Sequence, residues 1–231
     1  YLCWSLLVQF GFSLWASVLI SLGFGALLGW TIERLAIRPM IGQPLFTTIM
    51  ITIALSGLLK GMVIMGWGGI IKPYPEFFPV AGLRLGGIVL SEQLALCFVV
   101  ALLLVATFTL FFQRTKTGLA MRAVAEDHQV GQAVGISVKS IFSRSWVIAA
   151  VTGAIGGILL GSINGIQPQL SDIGLKAIPV VLLGGLESVP GAIIAGLIVG
   201  ALESVVAGYL DPLLGAGMGG FKSVFPFIIL M

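Results

Sequence analysis

The chain has 231 residues, 58% hydrophobic and 9% charged, with a formal net charge of +3 and a mean hydropathy of +1.13. Soluble domains carry roughly 25% charged residues, so this composition excludes a domain that lives in water and points to an all-α, polytopic transmembrane helical bundle. The small net charge excludes nucleic acid as a partner, and a pI of about 9.1 fits basic loops on one side of a bilayer.

The two cysteines, Cys3 and Cys97, both sit in apolar runs and read as small buried hydrophobes. No His/Cys/Asp/Glu cluster has metal-ligand spacing, so neither a metal nor another cofactor is expected. The chain starts at Tyr1 rather than Met and both ends lie in apolar runs. This is the pattern expected of a single transmembrane domain over residues 1–231, cut at both ends.

The first span is expected over residues 4–30, with Trp4 and Trp30 as interfacial anchors. Gly25 and Gly29, four apart, let a neighbouring helix come close. A polar stretch with Glu33, Arg34, Arg38 and Pro39 ends it. The second span, residues 45–67, contains Lys60. A lysine inside a span must snorkel, pair or face water. Residues 68–90 hold Pro73, Pro75 and Pro79 and read as an irregular loop on the membrane surface. The third span covers residues 91–112, with Glu92 in its first turn, where a carboxylate suits the helix dipole.

After the polar stretch 113–144, a fourth span covers residues 142–163. Gly153, Gly157 and Gly161 share one face of it, and a partner helix can approach closely along that stripe. Asn164 opens the next loop. The apolar run 175–186 is too short to span, since twelve residues cover roughly 18 Å against a core near 30 Å. It reads as a re-entrant or broken half-helix, or as a tilted helix extended by residues 171–174; the pattern leaves both open. Broken helices mark transport sites, so Lys60, Asn164, Glu187 and Glu203 are candidates for a polar pathway. Residues 187–191 form a tight turn in which Ser188 caps the next helix and Pro190 fills its first turn. The fifth span, residues 189–209, carries Gly196 and Gly200 on one stripe, and a sixth begins near Phe221. About six spans plus one short membrane helix are therefore expected.

The segment 113–144 holds five of the twelve Lys and Arg residues and the single histidine. With Arg34 and Arg38 it gives seven basic residues on one side, against Lys72 and Arg84 on the other, which places it in the cytoplasm by the positive-inside rule. Residues 118–125 favour helix. Asp127 is a good N-cap for a second short helix, and Gly135 a good stop. Val130, Ala133 and Val134 form an apolar stripe on that helix. Two turns are too few to be stable alone, so the helix must pack against something. Its small residues suit a cleft on another protein.

Met121-Arg-Ala-Val-Ala-Glu-Asp followed by Val134-Gly-Ile-Ser resembles the cytoplasmic loop of branched-chain amino-acid ABC transporter permeases. Glu33-Arg-Leu-Ala-Ile-Arg-Pro, Gly174-Leu-Lys-Ala-Ile-Pro and Leu182-Leu-Gly-Gly-Leu-Glu-Ser-Val-Pro-Gly-Ala resemble the same family, in family order. The resemblance implies an inner-membrane permease subunit paired with a second, homologous or identical permease. Two ABC ATPase subunits would drive it and a periplasmic binding protein would deliver a branched-chain or related amino acid. It places Ala125, Glu126, Asp127, Gly131 and Gly135 in the loop that docks on the ATPase. It also implies about two more helices before Tyr1 and a short basic tail.

No Gly-x-x-x-x-Gly-Lys-Ser/Thr occurs, so an ATP site belongs on another chain. The chain is thus expected to be a transport subunit and not an enzyme. The alternative is an ion- or proton-coupled transporter or channel using Lys60, Glu187 and Glu203. A membrane enzyme would need a nucleophile–base pair or facing carboxylates, which the sequence does not offer.

Overall fold

The long helices carry apolar residues on every side, as membrane spans do and surface helices of soluble proteins do not. In the computed structural model, residues 1–74, 82–85, 88–185, 188–210, 212 and 221–230 are described. Five helices among them are long and apolar enough to cross a membrane. Their contacts divide the chain into two units, Tyr1–Pro168 and Gln169–Met231.

The first unit opens with α1 (Leu2–Trp4), continued as a wider π turn through Gln9. Gly11 then takes a positive φ of 67° and breaks the helix. The expected span from residue 4 is therefore corrected: α2 runs Leu14–Ile32. Trp4 lies outside that span, on α1, and its indole N–H donates to the Pro73 carbonyl. A π turn at Glu33–Ile37 and a 3-10 turn at Arg38–Met40 close α2. Pro39, with no N–H to give, fits a tightened terminus.

α3 (Leu45–Trp67) follows, and none of its spanning window is buried within the chain. The loop after it is not wholly irregular. β1 (Gly82–Leu85) pairs antiparallel with β2 (Ile88–Ser91), with Gly82 opposite Ser91. Pro75 and Pro79 lie outside the described residues. α4 (Glu92–Arg114) starts directly from β2. Two short helices, α5 (Lys116–Glu126) and α6 (His128–Ala133), lead into α7 (Val138–Asn164).

α2 and α7 form the central pair of this unit. Residues 25 and 29 of α2 face residues 154, 150 and 146 of α7 in descending order, so the helices run antiparallel. A Cβ at Gly29 would lie 2.5 Å from the Ala150 Cβ and 2.7 Å from the Trp146 carbonyl oxygen. Only glycine fits there. Ser17, Ser21, Gly25, Gly29 and Glu33 recur every fourth residue and share this face. At the opposite end of α7, Lys72 and Ile166 exchange two backbone hydrogen bonds of 2.9 and 2.8 Å, and Gln93 at the start of α4 donates to the Ser162 carbonyl. The loop after α3, the start of α4 and the end of α7 therefore share one end of the unit.

A 3-10 turn at Pro168–Ser171 opens the second unit and leads into α8 (Asp172–Gly184), whose 13 residues include Pro179. The run is observed as one continuous helix, Asp172–Gly184, with Pro179 inside it. α9 (Val189–Val205) returns antiparallel and continues as a π turn to Leu210. Ser188 Oγ accepts the Gly191 N–H at 3.0 Å, which is the expected cap. Backbone closeness at Gly184, where a Cβ would lie 2.5 Å from Ala192 Cα, fixes the turn. α10 (Phe221–Leu230) also belongs to this unit.

Candidate functional site

The polar segment folds as a knuckle on the end of α4 and α7. Thr115 starts it: its hydroxyl accepts the Gly118 N–H at 3.0 Å, capping α5. α5 is amphipathic. Gly118, Met121 and Val124 point inward, and Arg122 and Glu126 outward. Met121 and Val124 pack with Val138 and Ile141 of α7 into the most clearly defined buried apolar cluster of the first unit. Gly118 is needed because a Cβ there would sit 2.5 Å from the Phe111 carbonyl.

Asp127 separates α5 from α6. Its Oδ1 accepts the Gln129 N–H at 2.6 Å, an N-capping contact at the start of the second helix. Gly135 ends the knuckle with φ 83°, a left-handed conformation that glycine adopts without strain. Gly131 is buried against Val124, with 3.0 Å between a would-be Cβ and Val124 Cγ2. Gly131 thus anchors α6 on α5. Ala125, Glu126, Asp127, Gln129, Gln132, Ala133 and Gly135 are exposed, and Val134 is 70% exposed. The face carrying Ala133 and Val134 is therefore uncovered among the described residues.

The knuckle is tied to the α2–α7 pair by a link that sequence reasoning missed. Ile41 packs on the same apolar cluster. Three residues before it, Arg38 donates from Nε to Glu33 Oε1 at 3.1 Å and from Nη2 to Oε2 at 3.0 Å. Glu33 is 0% exposed. Burying a carboxylate is costly unless it is paired, and this bidentate pair satisfies both oxygens. The available signal was the spacing: Glu33 continues the four-residue row of Ser17, Ser21, Gly25 and Gly29.

Of the polar residues singled out within the membrane, Lys60 and Asn164 belong to the first unit and Glu203 to the second. Lys60 is half-buried on α3, whereas Asn164 is exposed at the end of α7, with Nδ2 donating to the Leu160 carbonyl at 3.4 Å. Glu187 lies outside the described residues. Glu203 has a partner that the sequence reading did not assign, since Lys176 Nζ lies 3.6 Å from its Oε1. Opposite charges at similar distances either side of one tight turn were the signal.

The glycine stripes are equally uneven. A Cβ at Gly153 or Gly157 would meet nothing within 4 Å, whereas one at Gly161 would lie 3.1 Å from Ile166 Cγ1. Gly196 approaches Val180, and Gly200 meets nothing. α7 meets α2 through Trp146, Ala150 and Ala154, a different face from its glycine stripe.

Five helices long and apolar enough to cross a membrane, with Arg34, Arg38 and the knuckle at one end of the first unit, define a multi-pass helical membrane protein. A family described as the permease component of a branched-chain amino acid transport system matches residues 1–231, and the chain belongs to that family. The high-affinity branched-chain amino acid permease protein BraD of Pseudomonas aeruginosa is 34% identical over 195 residues, which is 82% of this chain and 62% of BraD. LivH of Salmonella typhimurium, described likewise, is 31% identical over 206 residues, 84% of this chain and 67% of its own length. A probable branched-chain amino acid permease protein LivH of Methanocaldococcus jannaschii is 30% identical over 245 residues, 100% of this chain and 75% of its own length. The chain thus spans about two thirds of the length of the first two relatives. No solved structure matches it.

Proposed function

We propose that the chain is the membrane-spanning permease subunit of an ATP-driven importer for branched-chain or related amino acids, in the inner (plasma) membrane. Its partners in this reading are ABC ATPase subunits, a second permease subunit and a periplasmic binding protein. The knuckle is the ATPase-docking element, with Ala125, Glu126, Asp127, Gly131 and Gly135 forming or positioning its contact surface.

One observation carries this reading. The exposed face of α6 sits on a buried core that also includes the base of α7 and Ile41. A push on the knuckle therefore reaches the α2–α7 pair directly through packed side chains. Ile41 and the Glu33–Arg38 pair stiffen the α2 side of that connection. A docking element transmits work only if it interacts differently with the two motor states, and a small, exposed, rigidly seated surface is suited to that. The glycine face at Gly153 and Gly157, open among the described residues, is the surface for the second permease. Small residues permit the close approach that packing in lipid requires.

Glu126→Lys tests the reading. The protein should reach the membrane at normal level while ATP-driven uptake of radiolabelled leucine falls several-fold. Normal uptake at equal expression would remove Glu126 from the docking surface. Uptake abolished by a proton uncoupler but indifferent to ATP depletion would replace the importer with an ion-coupled carrier.

A further inference from the structure

Two ion pairs among the described residues are of opposite character. Glu33–Arg38 is closed: bidentate, near 3.0 Å, with the carboxylate fully buried. Lys176–Glu203 is open. Its one contact is 3.6 Å, beyond the 2.7–2.9 Å of a charge-assisted hydrogen bond. The side chains stay 27% and 20% exposed. Glu203 Oε1 is buried and accepts no hydrogen bond among the described residues. An acceptor left in that condition inside a membrane span is costly and calls for a donor.

Its position also argues for a site. Glu203 lies about 20 Å along the span from Pro190, well inside an apolar layer near 30 Å thick. Lys176 stands on a 13-residue helix too short to cross that layer and containing Pro179. One turn from each charge, on the same helix face, stand Val180 and Val199. At Gly200, three residues before Glu203, an added Cβ would meet nothing within 4 Å, so there is room beside the carboxylate.

We propose that Lys176 and Glu203 form a transient binding site for the two charged ends of a free amino acid, the ammonium on Glu203 and the carboxylate on Lys176. This rests on the permease reading above and adds a substrate contact to it. In an α-amino acid the nitrogen and the carboxyl carbon are roughly 2.5 Å apart, separated by a single carbon. Such a zwitterion bridges a pair of opposite charges already set slightly too far apart to satisfy each other. The valines and the space at Gly200 then receive an aliphatic side chain. Each charged end of the substrate replaces water it lost on entering the bilayer.

The test uses the complete transporter, with its ATPase and binding protein, in proteoliposomes, and radiolabelled leucine as the probe. Two variants are compared with wild type: the charge reversal Lys176→Glu with Glu203→Lys, and the neutral pair Lys176→Met with Glu203→Gln. A mere brace is restored by reversal and tolerates neutral replacement of similar volume. A zwitterion site tolerates neither, because reversal turns the substrate around and neutralisation removes both contacts. Leucine uptake should fall about tenfold or more in both, the scale of one lost charge-assisted contact, while ATPase stimulation by the loaded binding protein persists. Recovery of uptake to within about twofold of wild type in either variant overturns the site. Failure of both to assemble assigns the pair to folding and overturns it as well. Absence of ATP-dependent leucine uptake in wild type would instead refute the permease reading itself.

Discussion

α2 and α3 carry the same signature and meet different fates. Each is an apolar helix with two glycines four residues apart, Gly25 and Gly29 in one, Gly57 and Gly61 in the other. On α2 the pair lies against α7 so closely that a Cβ at Gly29 would overlap Ala150 and the Trp146 carbonyl. On α3 a Cβ at either glycine would meet nothing within 4 Å. Glycine spacing therefore grants permission to approach and does not cause it. In lipid, apolar area alone gives helices no reason to associate. The approach follows from a complementary row, here Ala150 and Ala154 on α7, which leaves a flat surface for Gly25 and Gly29.

Three substitutions break or sharpen that contrast. The largest effect is expected for Gly29→Leu, which forces a branched side chain into backbone contact. Overpacking costs typically 1–3 kcal/mol and more where backbone must move, so the thermal transition of the purified protein in detergent should fall by many degrees. An unchanged transition would mean that the α2–α7 seam is not as tight as described. Gly157→Leu comes next. A Cβ there meets nothing within 4 Å among the described residues, so the isolated subunit should keep its stability while the assembled transporter dissociates more readily on size-exclusion chromatography. An assembly of unaltered lifetime would take that face away from the second permease. Gly57→Ala should do least. With open space around it, the chain's stability in detergent should stay within about 1 kcal/mol of wild type, the range set by helix propensity. A large loss would show that α3 too has a close partner.

The knuckle and the α8–α9 hairpin were not equally legible. In the knuckle, Asp127 as a cap and Gly135 as a stop could be read from residue chemistry, because caps and left-handed turns depend on a few adjacent residues. Ser188 at the start of α9 was readable for the same reason. The role of Gly131 as a seat on Val124 was not, since it depends on how two helices meet. On the hairpin, Glu203 stood out as a charge in a span, yet its pairing with Lys176 requires the turn geometry. The start of α2 was misplaced because apolar composition runs unbroken from residue 1. Only the positive φ of Gly11 separates the short α1 from the span proper. The β1–β2 hairpin escaped notice because its strands are only four residues each.

By itself the sequence determined that this protein is a polytopic helical membrane protein, roughly where most of its long helices run, and which family it resembles. These follow from composition and from contacts between near neighbours in the chain. The tertiary structure alone decided which glycines are pressed against another helix, that Glu33 is fully buried and clamped by Arg38, and that Lys176 faces Glu203. Those properties belong to pairs of distant residues. A helix that is apolar on every side gives no local sign of which face it will turn to its neighbour.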